Sequence, residues 1–207
     1  MRKATRIVAT SFGFIAGIAG LEHGYFEILQ GNTRPASLTF FASMGSPCVP
    51  EKVWNACEPA MTLLPSFLAA GILTVLLSLL IMLWSALYIQ RKNGGSLLIL
   101  FSVGLLLLGG GFFPPLIGLI GGVAGLQINT PVKSGRPGPL TQFMARLWPW
   151  PLVVFILWVF GQIPVGYFFN DFLQSNMAYG LLLILVTLPL SAYCANAYDT
   201  RRQENTI

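Results

Sequence analysis

Glu22, His23 and Glu27 are the residues of this sequence whose types and spacing could do chemistry. They lie in Ile7–Leu29, IVATSFGFIAGIAGLEHGYFEIL, a stretch otherwise apolar and long enough to cross a bilayer. Ionisable groups inside a spanning helix are costly and usually serve a purpose. Two carboxyls and an imidazole could act as an acid–base set on a buried lipid-like substrate, hold a cation, or pass protons. They could equally form a polar knot that ties one helix to its neighbours. All three are assigned as ligand-binding candidates and, within the enzymatic alternative, as catalytic candidates.

The helix that carries them sets which of them can meet. At about 100° per residue, Gly13, Gly17, Gly20 and Gly24 fall within a sector about 60° wide. Glu27 borders that sector, His23 lies a step further round, and Glu22 points the opposite way. His23 and Glu27 are four residues apart, so their side chains share a face. The glycines form small-xxx-small pairs that admit a neighbouring helix at close range. This predicts that Glu27 and His23 face packed protein and that Glu22 faces another helix or a wet cavity. The same glycine face is a candidate surface for a membrane protein partner or for homo-oligomerisation.

The rest of the chain reads as a scaffold around this helix. Of 207 residues, 55% are hydrophobic and 9% charged, against about 25% charged in ordinary soluble domains. Long apolar runs recur without strand-like alternation, which predicts an all-α, polytopic helical bundle and excludes a β-barrel. No loop is long enough to build a soluble core, so residues 1–207 are read as one integral membrane domain. Membrane helices are predicted at about 7–29, 60–89, 96–111, 114–127, 147–169 and 177–198. That is about six segments from five apolar stretches. The sixth arises because Ser96–Leu126 is interrupted by Gly109-Gly110-Gly111-Phe112-Phe113-Pro114-Pro115, a poor helix interior. Pro59 is read as the start of the second helix, Pro65 as a kink in its first turns, Leu140–Arg146 as a surface segment, and Asp199–Ile207 as a tail. The opening MRKATR followed by an apolar run also has the look of a secretory signal, but Glu-His follows at once and the segment is kept as the first helix.

Charge decides the topology. If Ser96–Leu126 goes out and returns, Arg2, Lys3, Arg6, Arg91, Lys92, Lys133, Arg136, Arg146, Arg201 and Arg202 fall on one side and only Arg34 and Lys52 on the other. The positive-inside bias prefers that arrangement. It predicts a multi-pass protein of the inner membrane with both termini cytoplasmic. Cys48 and Cys57 then share an outer loop and could form a disulfide, while Cys194 reads as a small buried hydrophobe.

The net charge of +5 sits at helix ends, with no basic patch interleaved with aromatics, so no nucleic-acid role is expected. No nucleophile elbow, phosphate loop or dinucleotide fingerprint is present. With one histidine, neither bis-His haem nor a zinc site is expected, and no cofactor is named. A carboxylate-lined cation site could draw on Glu22 or Glu27 with Thr62, Ser66 or Ser102. The inverted repeat of many carriers is missing.

The run Gly17–Asn32, GIAGLEHGYFEILQGN, with Glu58-Pro59-Ala60 and Gly109-Gly110-Gly111, resembles a group of small bacterial multi-pass membrane proteins of no assigned function. The resemblance spans about the first two-thirds of the chain. It implies a bacterial membrane location and transfers no catalytic residues. The function expected is therefore that of a membrane protein binding or scaffolding a lipid, a small solute or a membrane partner. An intramembrane lipid-modifying enzyme and a small cation- or proton-coupled transporter are the alternatives.

Overall fold

The computed structural model describes residues 1–41, 59–131 and 138–204, with the side chains of 41, 203 and 204 left aside. The helices are α1 (Lys3–Leu29), α2 (Phe67–Leu87), α3 (Gly94–Leu108), α4 (Phe113–Gln127), α5 (Pro139–Leu147), α6 (Trp150–Phe168), α7 (Asn170–Ser175) and α8 (Met177–Glu204). Two short strands, β1 (Thr39–Phe41) and β2 (Pro59–Met61), pair antiparallel with Phe40 opposite Ala60. Cys48 and Cys57, with Glu51, Lys52, Trp54, Glu58, Lys133 and Arg136, lie outside the described residues.

Helix α1 is the centre of the bundle. Helix α2 runs antiparallel to it: Gly24 meets Gly71 and Val75, Gly17 meets Ser78 and Met82, and Gly13 meets Ser85. The contact is between backbones. A Cβ at Gly71 would lie 2.5 Å from Gly24 O and 2.7 Å from Ile28 N. Helix α3 runs parallel to α1, with Leu98 beside Gly13 and Leu105 beside Gly20. Helix α4 returns along it, with Gly118 near Ala16 and Gly121 near Phe12. The α3–α4 pair is itself tight, because Gly95 lies against Gly122, Gly125 and Leu126. The four α1 glycines thus meet α2 and α3 of their own chain, and this face is filled without a second molecule.

Helices α6 and α8 complete the bundle. Phe155 of α6 stacks edge-on against Phe12 at 5.0 Å between centroids. Outward, α2 shows Leu76, Leu79 and Leu83, α6 shows Leu157 and Ile163, and α8 shows Leu182 and Leu185. An apolar exterior of this extent suits lipid.

Several boundaries differ from the pattern read in the sequence, for identifiable reasons. Helix α2 starts at Phe67, not near residue 60. Pro65 disfavours helix at the residue before it, and Ser66 caps the helix by accepting from Ala69 N. Pro65 therefore precedes the helix and does not kink it. Pro59 opens β2, where a missing N–H is tolerated. Helix α1 begins at Lys3 because its orphan donors are met from the far end of the chain. Asp199 accepts from Ala4 N at 3.1 Å, Thr5 N at 2.8 Å and Thr5 Oγ1 at 2.9 Å. Asp199 is buried and belongs to α8, which continues to Glu204 in place of the expected tail. Asn196 adds to the clasp, accepting from Arg2 and donating to Gln127. The Leu140–Arg146 surface segment is α5, held to α8 through Met144 and Cys194, and Cys194 is fully buried.

This clasp puts both ends of the chain at one end of the bundle. Arg2, Lys3, Arg6, Arg91, Lys92, Arg146, Arg201 and Arg202 gather there, and Arg34 lies at the other end.

Replacing Gly71 by Ala should destabilise the protein by about 1–3 kcal/mol through overpacking, whereas Gly161→Ala, with open space around it, should be neutral or slightly stabilising. Thermal unfolding in mild detergent compares the two. Asp199→Ala, which removes a helix cap and leaves buried amides bare, should cost about 1–3 kcal/mol by the same measurement.

Candidate functional site

The break between α3 and α4 is built from glycines for a steric reason. Gly109 has φ +120° and Gly111 φ +74°, conformations that side chains resist. The space that side chains would take is already occupied by α1. A Cβ at Gly109 would overlap Glu27 Oε1 and lie 2.6 Å from Glu27 Cδ; one at Gly111 would overlap His23 Nε2 and lie 2.6 Å from His23 Cε1. The carboxyl and the ring therefore rest directly on the glycine turn. Glu27 is 0% exposed and His23 6%.

The last carbonyls of α3 need partners, as at any helix end. Thr62 Oγ1 and Thr74 Oγ1 both donate to Leu108 O, at 3.2 and 3.1 Å, and Leu63 N donates to Leu107 O. Thr74, buried on α2, also approaches the Glu27 carboxyl. Its single proton is committed to Leu108 O, and neither Glu27 oxygen accepts a hydrogen bond by geometry among the described residues. The result is a closed polar knot: His23 and Glu27 of α1, Thr74 of α2, Thr62 after β2, and the backbone of residues 108–111.

The three ionisable residues of α1 do not come together. His23 and Glu27 share the knot. Glu22 is exposed, on the outer stripe of α1 with Ile18 and Tyr25. This departs from the expectation that it faces another helix or a wet cavity. Helices α2 and α3 meet the glycine side and α4 the neighbouring face at Phe12 and Ala16, so the described helices nearest Glu22's height lie away from its side of α1. Of the suggested oxygen partners, only Thr62 reaches the knot. Ser66 caps α2 and donates to Asn32, and Ser102 donates back to Leu98 O. Among the described residues no group of three or more His, Cys, Asp or Glu is placed to hold a metal.

Thr74 was not singled out in the sequence. The signal is its place in the series Gly71, Thr74, Ser78, Ser85, small or hydroxylated residues on one face of an apolar helix. That face meets the glycine face of α1.

Among the described residues four helices, α1, α2, α6 and α8, are long and apolar enough to cross a membrane, and α3 and α4 are shorter apolar helices. The class is that of a helical membrane protein. Compared with known protein families, characterised proteins and solved structures, the chain finds no match.

Coupling across the knot can be measured. Gly109→Ala should destabilise by about 2 kcal/mol or more, combining backbone strain with overlap on Glu27. In the Gly109→Ala/Glu27→Ala double variant the overlap is gone, so its loss should fall short of the sum of the single losses by about 0.5–3 kcal/mol. Strict additivity in a thermal double-mutant cycle would mean that the two residues do not touch.

Proposed function

We propose that this chain is a multi-pass protein of the bacterial inner membrane that holds a lipid, a small solute or a membrane partner without transforming it. In this reading the α3–α4 hairpin counts as two crossings, giving six, and the basic end of the bundle lies in the cytoplasm with both termini. Two features support the topology: α3 and α4 run antiparallel, and the described Lys and Arg other than Arg34 share one end, as the positive-inside bias requires.

The observation that carries the non-catalytic reading is the filling of the knot. His23 and Glu27 are buried, and the space next to them is taken by glycine backbone at contact distance. An acid–base pair acting on a lipid needs room for the reacting atom within about 3 Å of both groups. The Glu22 carboxyl, the third member of an enzymatic set, lies on another face. The arrangement suits a fixing point for the α3–α4 turn.

One observation favours a carrier as the second reading. The Glu27 oxygens lack geometric hydrogen bonds and sit beside a turn with two positive-φ glycines. A buried acid at a broken helix is the usual setting of a coupling-ion site. The two readings part in vesicles. Wild-type and Glu27→Gln proteins, reconstituted around a pH-sensitive dye, should pass protons or Na⁺ at the same background rate. A wild-type flux that Glu27→Gln abolishes would overturn the binding reading in favour of transport.

A further inference from the structure

We infer that a crevice between the first turns of α1 and the last turn of α2 is a binding site for a phosphate group, supplied in the membrane by an anionic phospholipid. It encloses about 290 Å³ and is lined by Arg6, Ile7, Thr10, Ser11, Ala86 and Gln90. Arg6, Ile7, Thr10 and Ser11 occupy one face of α1 by their i, i+4 spacing. The volume falls just below the ~300–1,000 Å³ of sites for drug-sized ligands, so it suits a headgroup.

The donors are set out for an anion. Among the described residues Arg6 makes no salt bridge, and Asp199, the buried carboxylate at this end of the bundle, is spent on the first turn of α1. The Thr10 and Ser11 hydroxyls make no hydrogen bond among the described residues, although Ser102, Thr187 and Ser191 bond back to the carbonyl four residues earlier, as helical hydroxyls commonly do. Gln90 is anchored at the rim by its Nε2 bond to Leu87 O and by Asn129, which donates to its carbonyl. A guanidinium with two hydroxyls matches phosphate, and charge-assisted bonds of this kind are the strong ones.

Position selects the lipid over the free ion. The crevice lies at the basic end of the bundle, with Arg2, Lys3 and Arg91 nearby. Exposed Ile7, Leu83 and Leu87 flank it, so acyl chains have an apolar wall to follow. Basic pockets between membrane helices on the cytoplasmic side are the usual seats of anionic headgroups. The site rests on the reading of the chain as membrane-embedded and is independent of Glu27.

Native mass spectrometry in mild detergent tests it, with phosphatidylglycerol and inorganic phosphate as the probes. Wild type should retain one phosphatidylglycerol. Arg6→Gln should retain about tenfold less, and Lys92→Gln, a charge loss outside the crevice, should match wild type. Should Arg6→Gln fail to fold, Thr10→Val/Ser11→Ala carries the same expectation of weakened retention. Displacement of the lipid by millimolar inorganic phosphate in wild type would keep the phosphate site and assign it to the soluble ion. Equal retention by wild type and both crevice variants, or an equal loss in Lys92→Gln, would overturn the proposal. None of these outcomes bears on the vesicle flux, so the two experiments can fail separately.

Discussion

The bundle depends on how closely two backbones approach at Gly24 and Gly71. Helices in lipid have no hydrophobic drive to associate, since a leucine is as well solvated by acyl chains as by another leucine. What draws them together is dispersion at short range and the hydrogen bonds that short range allows. The α1–α2 contact leaves no room for a Cβ on either side. It brings the hydroxyl-bearing face of α2, Thr74, Ser78 and Ser85, against the glycines of α1. Only at this spacing can Thr74 reach both the end of α3 and the carboxyl of Glu27. A wider crossing would leave the Leu108 carbonyl short of one donor and open a void over Glu27.

Much of this was legible in the spacing of α1 alone. A period of about 100° places four glycines in one narrow sector, sets His23 and Glu27 beside it, and turns Glu22 away. The structure keeps that geometry, burying the first two and exposing the third. The break at Gly109–Pro115 was legible for a different reason, since no apolar helix tolerates three glycines and two prolines in its middle. The sequence could not reveal that the break and the acids are one feature. Gly109 and Gly111 are needed because of Glu27 and His23, and that relation spans more than eighty residues of chain.

The parts that were not legible are those in which a local signal is overruled from a distance. Asp199 reads as the first residue of a polar tail, and only the return of α8 to the start of α1 makes it the cap of a helix 195 residues away. Pro59 reads as a helix start, a position proline favours, but it opens a strand because Thr39–Phe41 is there to pair with it. Glu22 was expected to find cover because a charge on an open apolar face is costly. That expectation assumed helices on both sides of α1 along its whole length, whereas α6 and α8 meet its first half, at Phe12 and at Ala4 and Thr5, and the second half is met by α2 and α3 at the glycines.

The polar knot also answers a question that the α3–α4 hairpin poses by itself. Each of these helices has 15 residues, about 22 Å at 1.5 Å per residue, against a hydrocarbon core of about 30 Å. Two crossings this short bring their irregular turn to the edge of the hydrocarbon core, where a membrane protein tolerates it only if protein or water surrounds it. Here protein does. The β1–β2 pair and Thr62 close the tip from one side, and Thr62, Leu63 and Thr74 satisfy the last carbonyls of α3. His23 and Glu27 cover the glycine turn from the other. Buried polar side chains at that height are thus what a short hairpin demands of its neighbours.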